Sequence, residues 1–199
     1  MVTSRKTLRA AASLGLVTTF LIVAFAPFGL AQDTNDEKDK KAEKFFANIG
    51  GGGARFIELT ISRWSTPSQR ARLIGSLHSE GQAAMMKILE KQPRVGSIRV
   101  QGGRYGNTPL HYAFERKTED GKRHIVVLTP RPVSLAEARS NNQSLDFDLS
   151  MIELFIPEEG KGNGAIVAGA QVEIDDETKR FKITAYQANP TRLVNVYTN

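Results

Sequence analysis

The chain has 199 residues, with 27 Lys+Arg against 21 Asp+Glu for a formal charge of +6, and no cysteine. Its length suits one domain with its own core. Without cysteine there are no disulfide staples, cysteine nucleophiles, Cys-based zinc sites or iron–sulfur clusters.

Residues 1–31 read as a secretory signal peptide. Arg5, Lys6 and Arg9 precede an uncharged stretch whose apolar centre runs from Leu14 to Ala26; Pro27 breaks it, and Gly29 and Ala31 stand at cleavage-site spacing. An uncleaved N-terminal membrane anchor is the alternative, since about 20 apolar residues span a bilayer. Both readings place the remainder outside the cytoplasm, periplasmic or extracellular, and cleavage leaves no membrane span. The remainder carries 24 Lys+Arg against 21 Asp+Glu, a formal +3. The whole-chain pI of 9.6 therefore overstates its basicity, and nucleic acid is not the expected partner.

Residues 32–44, QDTNDEKDKKAEK, have almost nothing to bury and read as a solvated tether, after which Phe45, Phe46 and Ile49 dock on the body. Gly50–Gly53 follow. A phosphate loop requires a strand, then glycines, then a helix start. Here Ile57, Leu59 and Ile61 alternate after the glycines as in a strand, so 32–53 reads as a flexible polar and Gly-rich linker ahead of one domain over 54–199.

Thr66-Pro67-Ser68-Gln69 is a helix start with a capping box and Pro at the first helical position. Ala71, Leu73, Ile74 and Leu77 supply the apolar side of a helix ending near His78. Ser79-Glu80-Gly81-Gln82 repeats the capping pattern, and a second helix turns Ala84, Met85, Ile88 and Leu89 inward before Pro93. Strand-like runs follow at 95–101, 109–118, 122–129, 144–156, 165–174, 180–187 and 192–198. The glycine runs at 102–106 and 160–164 read as turns, as do Glu119-Asp120-Gly121 and Asp175–Thr178; a short helix is expected at Ser134–Glu137. Within 144–156 the apolar phase moves from odd positions (Leu145 to Met151) to even ones (Ile152 to Ile156), which predicts a bulge near Met151. The expected fold is α+β: a twisted antiparallel sheet of about seven to eight strands, with a helix pair inserted after the first strand and packed on one face.

The runs Ile61–Thr66, Lys91-Gln92-Pro93, Val95–Arg99 and Arg131–Ser134 resemble a group of uncharacterised exported bacterial proteins, over most of the chain beyond the leader. The resemblance implies export and a bacterial origin. That family has no assigned activity, so it supplies no functional residue.

Paired carboxylates are the sharpest catalytic candidate. Asp146 and Asp148, two apart on a strand, would lie roughly 6.5–7 Å apart on one face, near the lower separation used by inverting glycosidases, with Glu153 beyond the bulge. The same residues also fit the wet face of an ordinary strand. Arg63 and Trp64 form a candidate rim for a ring or an anion, although a lone Trp is more often core. Arg99, Tyr105 and Tyr112 belong to a basic stretch, 99–123, that suits either a binding platform or solubilised hairpin edges. His78, His111 and His124 show no metal-ligand spacing; a tight Asp120-Gly121 turn would set His124 opposite Lys117. No G-x-S-x-G elbow appears, and no metal or cofactor is implied. The composite expectation is a non-catalytic binding or structural module of the cell envelope. Its partner would be an envelope component, a small apolar or anionic ligand, or a protein. The alternative is a cell-wall or extracellular polysaccharide hydrolase.

Overall fold

The structure, a computed structural model, describes residues 41–50, 55–101, 107–131, 133, 148–186 and 189–198. Two strands, β1 (Glu43–Ile49) and β2 (Phe56–Ile61), precede two helices, α1 (Pro67–Glu80) and α2 (Gln82–Lys91). Then come β3 (Gly96–Val100), β4 (Thr108–Leu110), β5 (Tyr112–Lys117), β6 (Arg123–Thr129) and β7 (Ser150–Ile156). The described chain closes with β8 (Gly162–Ala168), β9 (Ala170–Asp175), β10 (Arg180–Tyr186) and β11 (Thr191–Thr198).

Nine strands form one antiparallel sheet in the order β4-β3-β2-β1-β11-β8-β7-β6-β5, curled nearly into a barrel; β9 and β10 pair separately. The α+β class holds, with more strands than the seven or eight expected. β1 is not among the expected runs: it pairs with both β2 and β11, burying Phe45 and Ala47, and the run expected at 109–118 supplies two strands, β4 and β5. The sheet therefore takes in Glu43–Ile49, ahead of the glycines, and Ile49 N–H bonds Arg55 O where β1 turns back towards β2. The helix pair accordingly follows the second strand. Residues 51–54 and the expected helix at 134–137 lie outside the described residues.

The curl closes because β4 and β5, the sheet's two edges, are halves of one segment that bends at His111. Val95 N–H bonds Leu110 O on one side of the bend, and His111 N–H bonds Leu128 O on the other. Thr129 Oγ1 donates to Pro109 O at 2.8 Å, and Ser65 pairs with the outer edge of β5 through Ala113. Ser65 thus covers the outer edge of β5 at Ala113, and the β4 edge is only three residues long.

Two cores result. Inside the curl pack Phe45, Leu59, Trp64, Ile98, Ile125, Leu154 and Leu193, among others. Outside it, beneath the helices and the β9–β10 hairpin, pack Leu73, Leu77, Met85 and Leu89 with Tyr112, Phe114, Leu128 and Met151. This second core corrects the bulge predicted at Met151. β7 runs in unbroken register with β6 and β8. Its odd residues face the outer core and its even residues the inner one, so both phases are apolar without an extra residue. The register breaks fall elsewhere, in β1, β10 and β11.

Thr66 caps α1 with the expected capping box, but α2 has no side-chain cap. Gly81, at φ +84, ends α1 and opens α2, while Ser79 turns its hydroxyl back to Gly75 O. The apolar side of α1 rests on Leu73 and Leu77; Ala71 is exposed. Gln82 instead docks onto β9, giving Nε2–H to Ala170 O and accepting from Val172 N–H, both at 2.8 Å. The run expected at 165–174 is two strands broken at Gly169 (φ +63), which redirects the chain over the outer face. Gly162 and Gly164 belong to β8, not to the turn read over 160–164.

Gly96 is fixed by close approach: a Cβ there would lie 2.0 Å from Thr60 O on β2. Gly96→Ala is expected to lower unfolding free energy by about 1–3 kcal/mol through overpacking. Gly75→Ala, on the exposed face of α1 with open space around it, is expected to raise it by about 1 kcal/mol. Urea unfolding of both variants checks the pair; an unchanged midpoint for Gly96→Ala contradicts the strand contact.

Candidate functional site

The site follows from the hairpin that joins β5 to β6. Its loop has three residues, Glu119-Asp120-Gly121, with Gly121 at φ +79 and Thr118 N–H bonded to Lys122 O. The Lys122 ammonium and the Thr118 hydroxyl hold the Asp120 carboxyl down at about 2. A three-residue loop sets Arg116, not Lys117, opposite His124. That one-residue difference from a tight two-residue turn decides which side chains share a face.

On the outer face, Arg116 Nη2 donates to His124 Nδ1 at 2.7 Å, and His124 Nε2 lies 3.1 Å from Glu153 Oε1 on β7. Arginine has only donors, so Nδ1 must accept. The imidazole is then neutral, with its proton on Nε2 given to Glu153. His124 is 6% exposed and stacks on Phe155, ring centres 4.4 Å apart and planes 5° from parallel. Three strands and one stacking ring thus fix the direction of both ring nitrogens of His124.

The trio lines an outer cleft of about 130 Å³. Tyr112, Phe114 and Val126 extend its strand wall; α1 contributes Arg70 and Ile74, and the end of the hairpin contributes Lys179, Arg180 and Phe181. The Arg70 guanidinium sits 4.6 Å over the Phe114 ring, and its Nη2 reaches Lys179 O at 3.5 Å. Phe181 meets Tyr112 edge-on at 6.0 Å. Among the described lining residues, the cations Arg70, Arg116, Lys179 and Arg180 face one carboxylate, Glu153.

The residues proposed from sequence are dispersed. Asp146 and Tyr105 lie outside the described residues. Asp148 is exposed ahead of β7, apart from the cleft that Glu153 lines. Arg63 is structural, donating to the carbonyls of Pro93 and Arg94, and Trp64 belongs to the inner core. Arg99 is exposed on β3 opposite Glu58. Of the earlier ligand candidates among the described residues, Tyr112 alone lines the cleft. Cations of the basic stretch meet acids: Lys117 with Glu158, Lys122 with Asp120, and Arg123 with Glu43 and Glu115. His111 bonds Gln92 O, and His78 lies 4.0 Å from Asp176. Among the described residues no three His, Asp or Glu side chains gather as metal ligands would, and no helix is long and apolar enough to cross a membrane.

Sequence reasoning missed the Arg116–His124–Glu153 trio and the cationic rim. The trio had a readable signal: a Gly-ended three-residue loop gives the register that pairs Arg116 with His124. Lys179 to Phe181 had none, because their place depends on how the hairpin folds over α1.

No protein-family model matches the chain, and neither the curated proteins nor the solved structures yield a match. The resemblance carried by the short sequence runs stands on those runs alone.

Glu153→Ala would leave the Nε2–H of His124 without its acceptor. It is expected to cost about 1–3 kcal/mol of stability, and Glu153→Gln, whose amide oxygen still accepts, distinctly less. Thermal denaturation of the two variants checks this; equal losses would show that the hydrogen bond is not what Glu153 supplies.

Proposed function

We propose that this chain is an exported, non-catalytic binding module of the bacterial envelope whose outer cleft takes a small ligand with an anionic group and an apolar part. The observation that carries the reading is the make-up of the cleft, four cations and one carboxylate set among aromatic and aliphatic walls. Small-molecule sites are apolar concavities with a few convergent polar groups, and excess positive charge selects an anion. Export rests on the leader-like residues 1–31. The hydrolase alternative gains no support from the cleft: glycoside hydrolysis uses two carboxyl groups about 5–9.5 Å apart, and Glu153 is the one carboxylate among the described lining residues. The serine, threonine and cysteine nucleophiles of acyl transfer are likewise missing from that lining.

Calorimetric titration of the purified protein with octanoate and with phenyl phosphate tests the reading. At least one is expected to bind one-to-one. The double variant Lys179→Ala, Arg180→Ala, at exposed positions beside the turn, is expected to weaken it about tenfold or more with an unchanged melting temperature. Failure of both anions to bind, or equal binding to the double variant, sinks the proposal.

A further inference from the structure

We infer that the cleft is built for a one-ring aromatic carboxylate, whose carboxylate group seats between Arg116 and His124 while His124 takes up a proton. The inference rests on the anion-binding reading above and adds the ligand class and the proton.

Size and walls set the ring. The cleft's volume of about 130 Å³ is close to the about 150 Å³ that accommodates benzene in an engineered apolar cavity. Phe114, Tyr112 and Phe181 give the cleft an aromatic wall, and offset or edge-on contact with such a wall favours a planar ring beyond simple area burial. A long alkyl chain would outrun this space.

The polar end sets the carboxylate. In the ligand-free arrangement Nδ1 of His124 is the acceptor for Arg116 at 2.7 Å, and Nε2–H serves Glu153 at 3.1 Å. A planar carboxylate is the better acceptor for a guanidinium, because the bond is then charge-assisted on both sides. It displaces Nδ1 from Arg116. The freed Nδ1 lone pair takes one proton from solvent and donates it to the second carboxylate oxygen, while Nε2–H stays on Glu153. No covalent bond beyond that N–H forms or breaks. The charges also balance: Arg116, His124 and Glu153 sum to zero before binding, and the imidazolium offsets the ligand's negative charge afterwards. Around this centre the other charged groups facing the cleft are Arg70 from α1 and Lys179 and Arg180 from the hairpin end; all are cations and favour the anion. Phe155 holds the imidazole plane throughout.

The test is calorimetric titration of benzoate into the full chain at pH 7, in buffers of different ionisation enthalpy. The expected result is one-to-one binding with uptake of about one proton, tightening as the pH is lowered from about 8 to about 6. Acetate, an anion without a ring, and benzyl alcohol, a ring without an anion, should bind at least about tenfold more weakly. His124→Gln should keep measurable benzoate binding but abolish proton uptake and flatten the pH profile. Benzoate binding without proton uptake, or full uptake surviving in His124→Gln, overturns the seat on His124. Acetate binding as tightly as benzoate overturns the ring. If benzoate fails while octanoate or phenyl phosphate binds in an Arg180-dependent way, this inference falls and the broader reading stands; if no anion binds, both fall.

Discussion

The strands β5, β6 and β7 are buried on both faces, and the rest of the molecule is arranged around that demand. β6 shows it most plainly: His124 through Thr129 are all buried, with Ile125 and Val127 inside the curl and Val126 and Leu128 in the outer core. A curled sheet provides the inner cover by itself. The outer cover has to be recruited, and it comes from two unconnected sources, the helix pair after β2 and the β9–β10 hairpin after Gly169. Each large apolar side chain sealed beneath it, such as Leu73 or Leu89, contributes about 1.5–3 kcal/mol. The two covers meet over the strands that carry Arg116, His124 and Glu153. A seam of this kind stays reachable by water, so cations can line it without the several kcal/mol that full burial of each ion would cost.

Polar side chains hold the recruited cover in place where backbone pairing runs out. Gln82 satisfies one donor and one acceptor of β9 as a neighbouring strand would, which ties the start of α2 to the hairpin. Ser65 does the same for β5, its hydroxyl accepting from Ala113 N–H while its own backbone N–H donates to Ala113 O. At the inner end of the curl, Arg123 bonds both Glu115 and Glu43 and lies over the Phe45 ring. Those two carboxylates, with Glu115 first, hold its guanidinium above the already high arginine range. This ties β6 to β1 across the curled sheet and leaves the outer face of β6 free to build the cleft.

Much of this plan was legible in the residues. The capped start at Thr66, the period-two run of β2, the strand-like runs of β3, β6, β10 and β11, and the α+β class all follow from local chemistry acting on nearby neighbours. β1 was hidden because its polar neighbours, Asp39 to Lys44, look solvated, and only its position between β2 and β11 explains why Phe45 and Ala47 are buried. The phase change in β7 was visible but misassigned. Reading it as a bulge assumes one buried face, whereas two buried faces produce the same pattern. For the site, Glu153 and Tyr112 were noticed for other reasons, and the neighbours that give them meaning come from register and from long-range packing. A single loop residue, Glu119, separates the arrangement with Arg116 beside His124 from one with Lys117 there.

The two walls of the cleft differ in kind, and that difference assigns their roles. One wall is sheet: Arg116, His124 and Glu153 stand on adjacent strands, and the imidazole is pinned by Phe155, so little rotamer freedom remains to be lost when a ligand arrives. The other wall is the end of a hairpin, where Lys179 is about 63% exposed and shared with Asp176 at 3.6 Å. Charges so exposed act at a distance of about 8 Å in physiological salt and are screened beyond it. They speed the approach of an anion more than they distinguish one anion from another. Discrimination therefore belongs to the Arg116–His124–Glu153 trio on the sheet, whose donors point in fixed directions and whose carboxylate, Glu153, repels an anion placed anywhere but on the Arg116 side of His124.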